Sequence, residues 1–286
     1  MTNIDSDNLL APAKINVRLA IIRKREDGFH EIRSIMGAVG LYDTLSLSKT
    51  PAGITLTSSS SDIPLDNKNL AFKAASLIIS EAKVSGGVAI GLNKCIPVAA
   101  GLGGGSSDAA ATMKGINELY DLKFSLRQLM GLGARIGADV PFFFSSGPAF
   151  ATGIGEKLSP IEFSPPFWVL LVTPPIFVST AWAYRNFTVQ AQNEVFSFST
   201  RIDLLKAGKE ILYNDLERVV ISHFPEIAKI KKILENLGAW GALMSGSGPT
   251  VFGIFFEEAE AKNAESKLVK LYHDRNWKIS VVKALL

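Results

Sequence analysis

Pro97–Ala111 reads PVAAGLGGGSSDAAA, and this stretch decides how the rest of the chain is understood. Four glycines in five positions (Gly101, Gly103, Gly104, Gly105) run into Ser106, Ser107 and Asp108, and then into three alanines. Glycine admits backbone conformations closed to other residues and lets a ligand approach the main chain. Serine and aspartate favour helix N-caps, and alanine is the strongest helix former. The pattern predicts a glycine loop feeding a helix that starts near Ser106–Asp108 and runs to about Tyr120. Free N–H groups and the positive end of the helix dipole make such a place an anion site. A tightly packed structural turn is the plain alternative, but the serine pair and the helix start weigh toward a phosphate cradle. It is not a Walker A loop, because no Gly-Lys-Ser/Thr follows. It is a poor dinucleotide fingerprint too, since Ser106 falls where the third glycine belongs.

The strand before the loop is Val88–Leu92, and the helix before that is Asn69–Lys83, with Asn69 as its cap and Gly86-Gly87 as its stop. Near the N-terminus, Ala13, Ile15, Val17, Leu19 and Ile21 alternate with Lys14, Asn16, Arg18 and Ala20. That is the pattern of a half-buried strand with the second set on its open face. Lys14 there is an ordinary solvated lysine unless that face lines a cleft, where it would act as a point charge on phosphate or oxygen. Asp43–Leu47 and Gly53–Leu56 read as short strands. After the loop, Ser125 caps a helix with Leu126, Leu129, Met130 and Ile136 as its apolar stripe. SPIEFSPP at 159–166 reads as a proline-rich linker, dividing the chain into domains at 1–160 and 161–286. Beyond it come a strand at Phe167–Val172, a helix at His223–Leu237, a strand at Thr250–Phe255, a helix at Glu257–Tyr272 and a strand at Lys278–Val282. Periodicity is weak over 186–208. Strands and helices intermix in both halves, so the fold class is α+β.

Three further places carry candidate chemistry. Asp139, in GADVPFFF, stands before Val140-Pro141 as a helix cap would. A carboxylate beside three phenylalanines also needs a partner such as a lysine or a metal, and near a phosphate loop it is a candidate base or magnesium-side group. Met244–Thr250 reads MSGSGPT, a tight turn of either structural or binding use. His30 follows the Asp27-Gly28 turn, and with Phe29 it offers a flat surface and a hydrogen bond to a ring-shaped ligand, or is simply a surface histidine. Cys95 is a small residue leading into the loop.

The bulk numbers exclude several classes. In 286 residues, 47% are hydrophobic and 20% charged, with a formal charge of +3. That gives no electrostatic support for nucleic-acid or membrane binding. One cysteine allows no intrachain disulfide, and three scattered histidines make a poor zinc site, so no metal-ligating side chain is assigned. Phe167–Val178, the most apolar stretch, is broken by Pro174 and Pro175 and is shorter than the ~20 residues a membrane span needs. Without a targeting segment at 1–14, the expected location is the cytoplasm.

Taken together, APAKIN near the N-terminus, PVAAGLGGGSSDAA and the late MSGSGPTVF resemble the three motifs of the GHMP kinases in order and spacing. That superfamily includes galactokinase, homoserine kinase, mevalonate kinase and phosphomevalonate kinase. Within it, RKREDGFHEIRSI, GADVPFF and NDLE at Asn214–Glu217 are most similar to the kinases of 4-diphosphocytidyl-2-C-methyl-D-erythritol, of the non-mevalonate route to isoprenoids. Phe29 stands where that family commonly has tyrosine, and Ala99 and Ala100 where glycine is frequent. Val17-Arg18-Leu19 follows Asn16, in place of the Gly-Glu-His of galactokinases and mevalonate kinases.

The resemblance implies an N-terminal α+β nucleotide domain and a C-terminal ferredoxin-like domain, with the active site in the cleft between them. It implies phosphorylation of the substrate's 2-hydroxyl by ATP with Mg2+. Asp139 would take the hydroxyl proton, and Lys14 would keep Asp139 ionised and steady the oxygen. Pro97, Ala100, Gly101, Leu102, Gly103, Gly104, Gly105, Ser106 and Ser107 would cradle the nucleotide, with Ser106 or Ser107 near magnesium and Asn69 and Lys94 close by. Asn16, Phe29, His30, Ser245 and Gly246 would face the cytidine substrate. The enzyme would work as a monomer or weak homodimer. Another GHMP small-molecule kinase, such as a homoserine kinase, and a silent nucleotide or sugar sensor of the same fold are the alternatives.

Overall fold

A computed structural model describes residues 6–145, 147–189 and 200–285. Part of the unreadable 186–208 stretch, residues 190–199, therefore lies outside the described residues. In chain order the first elements are β1 (Ser6–Lys24), β2 (His30–Thr50), β3 (Ile54–Ser58), α1 (Leu70–Glu81), β4 (Gly87–Asn93), α2 (Gly104–Leu119) and α3 (Leu126–Ala134). They are followed by β5 (Ala149–Thr152), β6 (Lys157–Pro160), β7 (Glu162–Ser164), β8 (Trp168–Thr173), α4 (Thr180–Asn186), β9 (Arg201–Asp203), α5 (Leu204–Ala207) and β10 (Tyr213–Asn214). The last are α6 (Glu217–His223), α7 (Pro225–Asn236), β11 (Gly241–Met244), β12 (Val251–Phe255), α8 (Glu258–Leu271) and β13 (Lys278–Leu285).

The elements form two compact units that interleave along the chain. The first holds Met1–Ala13, Leu41–Val98 and Gly103–Ser146, and the second holds Lys14–Gly40, Ala99–Leu102 and Gly147–Leu286. β1 and β2 each contribute to both units. The glycine loop is divided too, between Leu102 and Gly103.

In the first unit, β4 pairs antiparallel with residues 44–50 of β2 and parallel with β3. Leu45, Leu47, Leu56, Ile90 and Leu92 are buried, together with Ala71, Ala74 and Ile78 of α1 and Ala109, Met113 and Ile116 of α2. Gly115 has no Cβ to strike Leu47, which lets α2 lie close to β2. Asn69 caps α1 by accepting from the Ala71 N–H at 2.9 Å, as its sequence predicts. Ser125 and Gln128 form a capping box on α3, an arrangement that satisfies two orphan N–H groups. Leu126 is nonetheless exposed, so the core stripe of α3 rests on Leu129.

In the second unit, β13, β8, β12 and β11 form an antiparallel run, and β13 continues the sheet through β2 and β1 to β10. Ile227, Ile230 and Leu234 of α7 fall at helical spacing and are fully buried with Ala261, Ala264 and Leu268 of α8 and with Leu170, Val172 and Val251 of the sheet. β5 pairs with β2 at Ser34–Met36.

Several sequence expectations change. The helix after the glycine loop starts at Gly104, behind Gly103 in left-handed conformation (φ 70°), so Ser106 and Ser107 sit inside its first turn and do not cap it. Asp43–Leu47 is part of a 21-residue strand. Ser34, Ile35, Met36 and Gly37 within it are buried in succession on both faces, which erases there the alternation that marks half-buried strands. The supposed linker at 159–166 holds the end of β6 and all of β7, which pairs with β9. Proline is tolerated at such strand ends. The helix expected at His223–Leu237 is α7, Pro225–Asn236, with Pro225 in its first turn; the short α6 before it is unexpected, and the two are divided at Phe224 (φ −126°, ψ 75°). The following Pro225 drives that residue out of helical conformation.

Candidate active site

Lys14 and Asn16 alternate with the core residues of β1, and the face they share is not open to solvent. Lys14 is 4% exposed, Asn16 3% and Arg18 7%. A buried ammonium is costly unless polar groups surround it. The Lys14 Nζ donates to Asn16 Oδ1. The Asn16 amide donates to Ser34 Oγ at 2.8 Å, and Ser34 donates to the Arg18 carbonyl at 2.7 Å.

The MSGSGP turn closes over this cluster within the second unit. Gly246 has φ +55°, and a Cβ there would come within 3.3 Å of both Lys14 Nζ and Asn16 Oδ1 and 3.2 Å of the Gly101 carbonyl. Only glycine lets backbone approach an ammonium so closely while in left-handed conformation. Gly101 has φ +75° and a Cβ there would collide with the Ser245 carbonyl. The Ser245 hydroxyl donates to the Gly101 carbonyl at 2.9 Å, Thr250 N–H to the Ala100 carbonyl at 3.3 Å, and Lys14 N–H to the Leu102 carbonyl at 2.9 Å. The loop entrance Ala99–Leu102 is thus bound to both β1 and the MSGSGP turn. The turn thereby presents backbone to Lys14.

NDLE, Asn214–Glu217, buttresses the same turn, and sequence reasoning assigned it no role. Asn214 donates both amide hydrogens, to the Met244 and Gly246 carbonyls at 2.8 Å each, and accepts from Leu216 N–H at 3.0 Å. Asp215 accepts from Ile21 N–H at 2.7 Å and Tyr213 O–H at 2.6 Å, fixing β1. Glu217 accepts from Met244 N–H at 2.8 Å and pairs with Lys231. From the other side, Thr180 at the start of α4 shares a 2.8 Å hydrogen bond with Ser247.

His30 is not a surface histidine. It is 9% exposed, with its ring centroid 5.4 Å from that of Tyr184 on α4. Burial, and then the Lys24 charge, holds its pKa below the usual imidazole value. A neutral ring accepts as well as donates a hydrogen bond. Phe29 beside it is exposed, as are Phe177 and Cys95.

In the first unit, the N-terminus of α2 is held from beneath. Gly104 packs on Ile96, and a Cβ there would lie 3.3 Å from Lys94 Nζ. Lys94 reaches two carboxylates, Asp43 and Asp108, the latter at 2.7 Å. Its side chain is only 5% exposed, so its ammonium is spent on anchoring α2 and not held out toward solvent. Asp43 also accepts from Cys95 N–H at 2.6 Å and Ile96 N–H at 2.8 Å. Asp108 has fewer partners, and its Oδ1 finds none among the described residues. Burial therefore pushes the Asp108 carboxyl up to about 7, against the pull of Lys94. Ser107 Oγ, in the first turn of α2, is likewise buried with no partner among the described residues.

Asp139 precedes a 3₁₀ turn at Val140–Phe144, whose phenylalanines are buried. It has helical φ and ψ and makes no side-chain cap hydrogen bond, so the capping role expected of it is absent. It is half-buried. No group of three or more His, Cys, Asp or Glu residues among the described residues is arranged to hold a metal.

Family models for the GHMP kinases match twice: the N-terminal domain over residues 69–147 and the C-terminal domain over 199–274. A protein of Syntrophotalea carbinolica named 4-diphosphocytidyl-2-C-methyl-D-erythritol kinase is 46% identical over 92% of this chain and 94% of its own. One of the same name from Shouchella clausii is 47% identical over 88% of this chain and 86% of its own. A crystal structure of 4-(cytidine 5'-diphospho)-2C-methyl-D-erythritol kinase is 34% identical, with a TM-score of 0.78 over 96% of this chain and 99% of that one. A homoserine kinase from Cytophaga hutchinsonii shares the fold at 19% identity and a TM-score of 0.75, over 98% of this chain and 94% of its own.

Two outcomes are expected. Asn214→Ala leaves two buried carbonyls without their donors and should lower unfolding stability by ~1–3 kcal/mol; an unchanged urea midpoint would contradict the buttress. Asp108, with its folded pKa raised, contributes stability that is complete below its unfolded pKa of about 4 and is lost as pH rises through about 7. Measured without nucleotide or metal, stability of Asp108→Asn relative to the parent should rise between those pH values. A flat difference would mean Asp108 is ionised throughout.

Proposed function

The chain belongs to the GHMP kinases, and from that premise we propose that it phosphorylates the 2-hydroxyl of 4-diphosphocytidyl-2-C-methyl-D-erythritol, with ATP as donor, in isoprenoid precursor synthesis. The observation that carries the choice within the family is the similarity across nearly the whole chain to kinases of that name and to the solved structure. It acts as a cytoplasmic enzyme, monomeric or weakly dimeric. Among the described residues, no helix is long and apolar enough to cross a membrane.

Phosphoryl transfer proceeds through a loose transition state, so the protein chiefly positions groups and balances charge. The N–H groups where Gly103 and Gly104 open α2 would hold the triphosphate, with Gly101, Leu102, Gly105 and Ser106 beside them. Lys94 and Asn69 contribute by holding α2 and α1 in place. Ser107, whose buried hydroxyl lacks a partner, is the residue suited to magnesium, which neutralises charge on the phosphates when bound. Such a site takes most of its ligands from phosphate and water, consistent with one protein oxygen.

Asp139 accepts the proton of the attacking hydroxyl. Lys14 supplies the positive charge that steadies that oxygen, and its burial strengthens the effect by excluding water. Asn16, Ser245 and Gly246 shape the ground beside Lys14, and Phe29 with the neutral His30 receives the cytosine ring.

Incubated with ATP and the cytidine substrate, the protein should release ADP, and should release little with homoserine or mevalonate in its place. Release without any acceptor preference, or none, would remove the reading in favour of another acceptor or a sensor. Asp139→Asn should stay folded and bind ATP but turn over at least ~10²-fold more slowly. Near-normal turnover would take Asp139 out of the mechanism.

A further inference from the structure

We propose that Ser34 is a positioning residue for the reaction, acting through Asn16 on Lys14. The inference rests on the kinase reading given above.

Three side chains, all nearly sealed from water, form a hydrogen-bonded row: Lys14, Asn16 and Ser34, at 4%, 3% and 0% exposure. The direction of each bond follows from chemistry. The Arg18 carbonyl can only accept, so the one hydrogen of the Ser34 hydroxyl goes to it, at 2.7 Å. The Ser34 oxygen is then left as an acceptor. It can meet only the NH2 end of the Asn16 amide, at 2.8 Å. With that end committed, the amide presents its carbonyl oxygen to the Lys14 ammonium, which has donors and no acceptor. Ser34 thus sets which way round Asn16 stands, and the amide in turn sets where the ammonium points.

The carbonyl that Ser34 uses belongs to β1 itself, two residues beyond Asn16 and four beyond Lys14. Ser34 lies on β2, where its backbone pairs with Ala151 of β5. The anchor is therefore strand on strand, with no loop in the row. Gly246, packed against the same ammonium and the same Asn16 oxygen, closes the opposite side. Without the serine hydroxyl, the buried NH2 end of Asn16 loses its acceptor and the amide turns to find another. Either rotation withdraws the carbonyl from Lys14. Misplacing a catalytic group by a fraction of a bond length is felt in turnover before it is felt in substrate binding.

The test compares Ser34→Ala, which removes only the hydroxyl, with Ser34→Thr, which keeps it. Ser34→Ala should lower kcat roughly 10- to 100-fold while the KM for ATP changes by no more than about twofold. Ser34→Thr should recover most of that loss. If the added methyl prevents Ser34→Thr from folding, the Asn16 side-chain 15N–1H2 resonances decide: they should move in Ser34→Ala and Asp139→Asn should leave them in place. Unchanged kcat in Ser34→Ala overturns the proposal. So does a loss of kcat with unmoved Asn16 resonances, since Ser34 would then matter only to packing. Should the parent protein release no ADP with the cytidine substrate while Asn16 still responds to Ser34→Ala, the kinase reading falls and the orienting row stands.

Discussion

A lysine ammonium held at 4% exposure is the demand around which the second unit is arranged. Such a charge is costly unless it is paired and hydrogen-bonded, and Asn16, Gly246 and Leu102 can be traced to that need. Asn16 offers its carbonyl, Gly246 brings backbone against it, and the Leu102 carbonyl fixes its own main chain. The MSGSGP turn could not lie so near without glycine at 246, nor could the loop entrance without glycine at 101. The supports reach further, to Asn214, Asp215 and Glu217, whose side chains saturate the turn and the strand that carry these groups.

The first unit meets a matching demand with opposite charge. An open helix N-terminus, useful for phosphates, must be held without covering its N–H groups. Lys94, Asp43 and Asp108 do so from below, through buried ion pairs. Two carboxylates on one ammonium leave a net negative charge, and burial opposes it by raising the carboxyl of Asp108, the less well bonded of the pair, to about 7. Lys94 thereby acts on the helix carrying the loop, a role its position next to the loop did not reveal.

Local signals were legible wherever chemistry is local. Asn69 and Ser125 cap helices as read, the 88–92 strand and the 257–272 helix stand within a residue or two, and the glycine run does open a helix. The misreadings share a cause: neighbours that are distant in sequence. Alternation at 13–21 named the core face of β1 correctly but placed Lys14, Asn16 and Arg18 in solvent, because what covers them comes from residues beyond 200 and from β2. The 30–42 stretch hid its strand character where Ser34, Ile35, Met36 and Gly37 are buried in succession on both faces. α6, Glu217–His223, went unread because a seven-residue helix is too short to show an apolar period. Among site residues, Ser34 carried no signal at all, one serine in HEIRSI, and Asn214 was visible only as part of a family motif. The family itself was legible because two of its three motifs carry glycines in left-handed conformation, at 101, 103, 246 and 248, that other residues rarely adopt.

The most direct test of the account is a structure of the protein with a nonhydrolysable ATP analogue and the cytidine substrate together. The account requires the phosphates on the N–H groups of Gly103–Ser107, and the substrate's 2-hydroxyl within hydrogen-bond reach, ~3 Å, of the Asp139 carboxylate. Phosphates bound away from the α2 N-terminus, or a hydroxyl remote from Asp139 in the fully loaded protein, would contradict it.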